Sequence, residues 1–192
     1  KLFAILNSGI SGRGASSINP GLVLAAIAVF IALSFASPYF LTTNNLLNIA
    51  KALVIVGIAA AGETIVIIAG GFDLSIGSTM AASGMLAAYL LDSGAGVAMA
   101  FTCAIVLGIG IGTVNGTLIA YFRINPLITT LAMLAIIRGL AFVISDGREI
   151  IITNKTWLSL GTGKLAGIPY IVLILILIFL IFALILPRTT FG

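Results

Sequence analysis

The sequence predicts an all-α polytopic membrane protein with about six spanning helices, and two observations on composition lead to this prediction. Only 7% of its 192 residues are charged, against about 25% in a soluble globular domain. Apolar residues make up 61% of the chain and fall into long runs. A water-facing surface cannot be built from this composition, so a soluble enzyme and a nucleic-acid-binding domain are excluded. The net charge of +4 is spread singly along the chain, which favours a role in membrane orientation over phosphate binding.

The first three predicted spans cover residues 21–37, 46–69 and 75–91, because a spanning helix needs about 20 predominantly apolar residues. The first ends before Pro38. The first span and the basic residues before it resemble a signal peptide, and Ser34-Phe35-Ala36 imitates a cleavage site. Because further apolar spans follow, an uncleaved spanning helix is favoured. The second carries Lys51 near its start and Glu63 in its interior.

The last three predicted spans cover residues 95–122, 126–145 and 169–186. The fifth begins at a proline, which suits the first turn of a helix. The sixth is an unbroken Ile/Leu run closed by Pro187 and Arg188.

Six spans place both chain ends on one side of the membrane, and the basic residues indicate which side. With residues 1–20 as a cytoplasmic segment, the inside receives four basic residues, namely Lys1, Arg13, Arg123 and Arg188. Residues 146–168 would then lie outside and carry three basic residues. The excess of basic residues on the inside, four against three, is therefore a weak indication of orientation. Residues 146–168 form the only sizeable predicted segment outside the membrane. A docking surface and a plain solvated connector fit it equally well.

Two residue types that support much enzyme chemistry are scarce or missing. The chain has no histidine, which excludes Ser-His, Cys-His and His-ligated metal mechanisms built within it. Its single cysteine, Cys103, lies in an apolar run and fits a buried packing thiol. We therefore expect no metal site in this chain, and we assign no catalytic residue on histidine or cysteine chemistry.

The segment Gly70–Ser78 is the strongest candidate for irregular backbone among the spans. Two adjacent glycines interrupt a helix, Asp73 can accept hydrogen bonds from backbone N–H groups, and Ser75 or Ser78 can cap a new helix. At membrane depth such backbone must be buried in protein or line a cavity. Both a tight turn between two spans and a helix broken near Gly70-Gly71, as transporters use along their pathways, fit the pattern.

Polar and small residues inside the spans give the remaining candidates. Gly108, Gly112 and Gly116 recur at four-residue spacing, which favours close packing of a neighbouring helix. Glu63 is the clearest carboxylate within a span and Arg138 the clearest cation. Intramembrane charges are costly, so each marks either a functional site or a structural partner, and the two can neutralise one another.

Three short motifs resemble functional sites but lack residues that those sites need. Residues 9–16 nearly spell a nucleotide-binding loop, but Ala15 stands where the phosphate-binding lysine is required. Gly70–Asp73 is similar to an intramembrane aspartyl protease motif, but it lacks a second aspartate within a facing span. Asn154-Lys155-Thr156 fits a glycosylation pattern that is common by chance.

The run Gly70-Gly71-Phe72-Asp73-Leu74-Ser75-Ile76-Gly77-Ser78 resembles the signature of permease subunits from bacterial monosaccharide ABC importers, of the ribose-permease type. Phe72 replaces the isoleucine usual in that signature. Further similar blocks follow in the family's order and extend the resemblance over nearly the whole chain from about residue 20; they include Ser37–Phe40, Asn44–Ile49, Gly62–Ile67, Pro126–Leu131, Arg138-Gly139, Asp146-Gly147 and Thr190–Gly192.

The resemblance implies a dimer of permease subunits, expected to be a homodimer, that forms one sugar path across the inner membrane and contacts membrane lipid. Separate cytoplasmic ATPase subunits would bind ATP and Mg²⁺, and a periplasmic or lipid-anchored protein would deliver the sugar. Family members run past 300 residues, so residues 21–192 are expected to be a permease domain that is incomplete at its C-terminus.

A neutral sugar needs hydrogen-bonding groups along its path instead of strong charges. The candidates for that lining are Glu63, Ser75, Asn115, Thr129 and Thr130. Four further residues are candidates for holding the shape of the broken helix or for gating it: Gly70, Gly71, Asp73 and Arg138. A passive sugar channel and a membrane-embedded enzyme using Glu63 or Asp73 remain as alternatives, and the sugar itself stays open among ribose, other pentoses, galactose, a nucleoside and a signalling sugar.

Overall fold

A computed structural model of the chain describes residues 19–188. Three sequence predictions fall wholly or largely outside these residues. They are the cytoplasmic segment 1–20 except for its last two residues, the loop-like motif at residues 9–16 and the similarity at Thr190–Gly192. The described part forms seven α-helices, a short hairpin and one 3₁₀ turn, which confirms the all-α class. The helices are α1 (Pro20–Ala36), α2 (Thr43–Ile68), α3 (Ile76–Asp92), α4 (Val97–Ala120), α5 (Pro126–Ser145), α6 (Lys155–Thr162) and α7 (Tyr170–Ile185).

Each of the six predicted spans coincides with one helix, and the largest disagreement in bounds is the start of α2, which lies at Thr43 instead of residue 46. Among the described helices, α2, α4 and α5 have the length and composition of a membrane span. The apolar helices α1 and α7 have 17 and 16 residues. Helix α3, with 17 residues, is at the short end of what a span needs.

The chain divides into two compact units, Lys1–Leu46 and Leu47–Gly192. In the described part of the first unit, the side chain of Asn19 accepts a hydrogen bond from the Gly21 N–H and caps α1, and Pro20 occupies the first turn. Beyond α1, the ring of Phe40 meets that of Phe30 edge to face at 5.2 Å. The cap fixes the start of α1, and the ring contact packs the following turn back onto the helix.

In the second unit, α3 packs against both α4 and α5. A buried cluster joins the three helices through Ala82, Ile111, Ile137 and Ala141. The alanine on α3 is fully buried, and its small side chain lets α4 and α5 approach closely. The packing of the second unit is therefore centred on α3.

A second cluster lies at the C-terminal end of α3 and joins Ala87 and Leu91 to Ala100 of α4. Ile152 and Trp157, from the segment that follows α5, pack against it. This segment was predicted only as a loop outside the membrane, yet it contains helix α6 and the antiparallel pair β1 (Lys164–Leu165) and β2 (Ile168–Pro169).

Helix α6 is capped at its N-terminus and tied to α7 at its C-terminus. The Asn154 side chain accepts a hydrogen bond from the Trp157 N–H at 3.1 Å, which satisfies one of the first N–H groups of the helix. The asparagine of the glycosylation pattern therefore has a structural use. At the other end, the Gly163 carbonyl accepts from the Tyr170 N–H at 3.0 Å. A Cβ at Gly163 would collide with the Tyr170 ring, so the close approach requires glycine.

Candidate functional site in the connection between α2 and α3

The two glycines end α2 through a defined backbone motif. The Gly70 N–H donates to the Ile67 carbonyl and the Gly71 N–H donates to the Val66 carbonyl, both at 2.9 Å. Gly70 has a φ of +84°, in the left-handed region that a residue with a Cβ rarely adopts. This is the Schellman ending of a helix, and it turns the chain so that the connection, residues 69–75, folds back toward α2.

Glu63 fixes the position of the folded-back chain. Its Oε1 accepts a hydrogen bond from the backbone N–H of Asp73 at 3.0 Å, across ten residues of sequence. Glu63 lies in the second-last turn of α2, so the bond holds the middle of the connection beside the end of that helix. The carboxylate that was a pathway candidate is thus also a structural acceptor.

Asp73 closes the turn into α3. Its Oδ1 accepts from the Ser75 backbone N–H at 2.8 Å and from the Ser75 hydroxyl at 2.6 Å. Of the two predicted caps, Ser75 or Ser78, Ser75 stands at the N-cap position and Ser78 lies within the helix. The Ser75 side chain makes no capping bond, because its hydroxyl donates to Asp73, which supplies the acceptor at this turn.

Ser75 links the connection to α4. The residue is fully buried, and its Oγ accepts a hydrogen bond from Asn115 Nδ2 at 2.9 Å. Asn115 is itself buried, with 4% of its surface exposed. Because the Ser75 hydroxyl donates to Asp73 and accepts from Asn115, one continuous chain of hydrogen bonds runs from the connection to α4.

Thr130 brings α5 to the same place. Its hydroxyl lies 2.9 Å from the Pro126 carbonyl, one turn earlier in α5, and 3.3 Å from the Phe72 carbonyl in the connection. The short bond is local to the helix, and the longer contact reaches the connection. Side chains of α2, α4 and α5 therefore all contact residues 72–75.

Three buried side-chain atoms in this region have no hydrogen-bond partner among the described residues: Glu63 Oε2, Asn115 Oδ1 and Thr129 Oγ1. Glu63 and Asn115 each make a hydrogen bond through their other polar side-chain atom. Thr129 directly precedes Thr130 in α5. Buried polar atoms are costly unless they are paired. These three buried atoms therefore have hydrogen-bonding capacity left for a ligand.

The remaining predicted residues lie apart from this network. Arg138 is exposed on α5 and makes no ion pair within residues 19–188, so the suggested pairing of Glu63 with Arg138 is not present there. A Cβ added at Gly108 would lie 3.8 Å from the Ser83 hydroxyl, whereas Gly112 and Gly116 face open space. The packing role of the three glycines stays a prediction, as do the pathway and gating roles.

Two contributors to the network were not predicted from the sequence. The Phe72 backbone carbonyl receives the Thr130 contact, which no side-chain motif can reveal. The Thr79 hydroxyl donates to the Ser75 carbonyl at 3.0 Å, and its spacing of four residues from Ser75 is the signal that was available. Within the described residues, no group of three or more His, Cys, Asp or Glu side chains is placed to hold a metal ion.

Known proteins share much of this sequence. A family model described as a permease component of the branched-chain amino acid transport system matches residues 45–192. The chain is 36% identical over 172 residues to the L-arabinose ABC transporter permease protein of Azospirillum brasilense, covering 90% of the chain and 51% of that protein. No solved structure matches the chain significantly.

Two further relatives are similar in extent. The L-arabinose transport system permease protein of Escherichia coli K12 is 34% identical, over 90% of the chain and 52% of that protein. The ribose import permease protein of Bacillus subtilis is 36% identical, over 90% of the chain and 54% of that protein. The chain thus spans about half the length of the curated relatives it matches.

Proposed function

The chain belongs to the family of permease components of membrane transport systems, and we propose that it forms part of the sugar path of an ATP-driven importer. It is a multi-pass protein of the bacterial inner membrane with a transport role. The observation that carries the proposal is the similarity to permeases named for L-arabinose and ribose. A pentose is a neutral molecule rich in hydroxyl groups, and the polar groups gathered around residues 72–75 suit such a substrate.

In this proposal the energy comes from other subunits. Two cytoplasmic ATPase subunits bind ATP and Mg²⁺ and drive the change between outward-facing and inward-facing states. A periplasmic or lipid-anchored binding protein delivers the sugar, and a second permease subunit completes the path. This chain contributes helices and hydrogen-bonding groups and no catalytic residue.

The cluster around the connection suggests how the roles are divided. Gly70, Gly71 and Asp73 hold the backbone between α2 and α3, and Ser75 and Thr130 join it to α4 and α5.

Three buried atoms without a hydrogen-bond partner in the described part of the chain are proposed to contact the sugar when the path opens. Two belong to this cluster, and the third belongs to the residue before Thr130. They are Glu63 Oε2, Asn115 Oδ1 and Thr129 Oγ1. Sugar hydroxyls can donate to the carboxylate and amide oxygens, and they can accept from the threonine hydroxyl. The proposed contacts therefore need no change in the charge of any residue.

The proposal is tested on the full-length gene product, purified from native membranes by an affinity tag. Mass spectrometry of co-purifying proteins is expected to find a nucleotide-binding ATPase and a sugar-binding protein. Reconstituted in vesicles with these partners, the complex should take up labelled L-arabinose or ribose only when ATP and Mg²⁺ are present on the ATPase side.

Three outcomes contradict the proposal. Sugar flux that is independent of ATP indicates a passive channel. A well-folded sample without ATPase or binding protein removes the importer assignment. Uptake that responds to ATP but moves neither pentose nor any other monosaccharide keeps the importer and overturns the substrate class.

A further inference from the structure

An apolar groove lies in the second unit, near the end of α3 that is farther from the polar connection. It is formed by the start of α4, by α6 and by the start of α7, and its volume is about 950 Å³. Its apolar walls include Val97, Phe101, Trp157, Leu160, Ile171 and Ile174. We call this feature the α6 groove.

The apolar walls of the α6 groove are not buried by the described part of the chain. Phe101, Leu160 and Ile174 keep 53%, 42% and 46% of their surface exposed. The groove lies at the N-terminal ends of α4 and α7. It therefore lies at the ends of two apolar helices, where a bilayer passes from hydrocarbon to headgroups.

Helix α6 has the character of a helix that lies in this interfacial layer. Trp157 packs against the buried cluster of Ala87, Leu91 and Ala100, and Leu158 remains half exposed. Both side chains line the groove. Tryptophan is enriched at the boundary between hydrocarbon and water. A short helix with an apolar face and polar ends fits an interfacial position.

The charges that flank α6 in the sequence have one sign. Lys155 is the first residue of α6, and Lys164 follows its last residue, Thr162, by two positions. Between residues 150 and 170 these lysines are the only charged side chains. Both are exposed, and neither forms a salt bridge within residues 19–188. The acidic residue Asp92 lines two other cavities but not the α6 groove.

We propose that the α6 groove binds an anionic phospholipid, with an acyl chain along Phe101, Trp157 and Ile174 and the phosphate group near Lys155 and Lys164. Residues of α6 line the apolar groove, and an exposed lysine stands at each end of that helix in the sequence. This arrangement complements a molecule with a long apolar chain and an anionic head. The long stem of a lysine can lie along apolar surface while its ammonium group stays at the headgroup level. The inference does not depend on which sugar the permease moves, nor on the roles of residues 69–75.

Trp157 provides the test, because it is the only tryptophan among the 192 residues and it lines the α6 groove. The full-length protein is reconstituted in phosphatidylcholine vesicles that contain a small fraction of brominated lipid, either phosphatidylglycerol or phosphatidylcholine. Bromine on the acyl chains quenches indole fluorescence on contact. Subtracting the signal of a Trp157→Phe variant isolates the contribution of Trp157. We expect brominated phosphatidylglycerol to quench at a lower mole fraction than brominated phosphatidylcholine, by about fivefold for each lysine involved.

Two sets of variants separate the acyl chain from the headgroup. Ala98 lines the groove, so Ala98→Phe should fill it and remove the quenching by phosphatidylglycerol. Ala135→Phe, at an exposed position of α5 outside the groove, is the matched control and should leave quenching unchanged. The double variant Lys155→Gln with Lys164→Gln should keep quenching but lose the preference for the anionic lipid.

Four results overturn the proposal. If both lipids quench equally in the unaltered protein, the groove does not select an anionic headgroup and the proposed headgroup site is excluded. If the double lysine variant still prefers phosphatidylglycerol, the two lysines are not the cause of the preference. Quenching that survives Ala98→Phe removes the groove as the place of contact. No quenching by either lipid shows that a protein segment covers Trp157 in the assembled permease.

Discussion

Two segments that join helices are stabilised by different kinds of contact. They are the connection between α2 and α3 and the segment between α5 and α7. Residues 69–75 are fixed by side chains of Glu63, Asn115 and Thr130, which reach them from three different helices. Residues 146–169 are fixed by a local cap at Asn154, a two-stranded hairpin and the packing of Trp157 on an apolar cluster. The first depends on single polar atoms, and the second on local geometry and apolar contact.

This difference indicates where the molecule tolerates change. A hydrogen-bond network that is largely buried leaves a polar group unpaired when one member is removed, which costs more than the bond itself is worth. A surface segment can exchange its polar contacts for water. We therefore expect substitutions in the connection to affect transport and stability more than comparable substitutions after α5.

The largest effect is expected from Asp73→Ala. The substitution removes the acceptor of two hydrogen bonds, from the Ser75 N–H and the Ser75 hydroxyl, and frees the start of α3. Bonds to a charged acceptor are worth about 1.5–3 kcal/mol each, so ATP-dependent sugar uptake should fall at least tenfold at equal protein level. Asp73→Asn keeps an oxygen in the same place and should retain more activity.

Thr130→Val is the matched comparison for Asp73→Ala. The Thr130 hydroxyl bonds mainly to the Pro126 carbonyl within α5, and its contact with the Phe72 carbonyl is long. Uptake by this variant should fall less than threefold, in line with a loss of about 0.6 kcal/mol for a polar contact between membrane helices. Equal activity of the alanine and valine variants would contradict the assignment of Asp73 as the residue that holds the connection.

The next largest effect is expected at the two adjacent glycines. Comparing them distinguishes a glycine that is required by its backbone conformation from one that is required by lack of space for a Cβ. Gly70 has a φ of +84°, so Gly70→Ala should lower the free energy of unfolding by about 1–2 kcal/mol. At Gly71 a Cβ would meet Val66 Cγ1 at 3.5 Å and Pro126 Cβ at 3.7 Å, which are ordinary contacts. Gly71→Ala should change stability by less than about 0.5 kcal/mol.

Thermal unfolding of both glycine variants in the same detergent measures this contrast. A loss of stability at Gly71 as large as that at Gly70 would mean that close packing, and not the left-handed turn, requires the glycine pair.

The helix bounds were largely predictable from the sequence, because local chemistry determines them. Long apolar runs are closed by Pro38, by the Gly70-Gly71 pair and by Pro187, and Pro126 opens a helix. These residues act through their own backbone, so no knowledge of the fold is needed. The ability of Asp73 to accept from backbone N–H groups was likewise predictable from its position before a helix.

The partners of the polar residues were not predictable in the same way. Asn115 and Ser75 are 40 residues apart, and their contact depends on which face α4 presents to α3. Arg138 was a possible partner for Glu63 by charge, but the structure gives Glu63 the backbone N–H of Asp73. Opposite charge is a poor guide here, because two helices can carry matching charges on faces that never meet.

A smaller effect is expected in the segment after α5 from Asn154→Ala. Loss of the cap bond to the Trp157 N–H should cost about 1 kcal/mol and loosen α6 without unfolding the protein. Faster hydrogen exchange confined to residues 155–162, with a red shift of Trp157 emission, checks this. Asn154→Asp retains a capping oxygen and should behave like the unaltered protein, whereas equally fast exchange in both variants would exclude the cap as the cause.

The smallest effect is expected from Arg148→Gln, which breaks the ion pair with Asp146. The two side chains meet at 3.1 Å but expose 78% and 82% of their surface, so water and salt screen the attraction and its worth is close to zero. Asp146 also has a left-handed backbone with a φ of 53°, which does not depend on the arginine. The unfolding temperature and the rate of sugar uptake should therefore both remain unchanged. A measurable loss in either would show that this exposed pair is covered in the assembled transporter. In that case the segment after α5 would depend on single polar contacts, as the connection between α2 and α3 does.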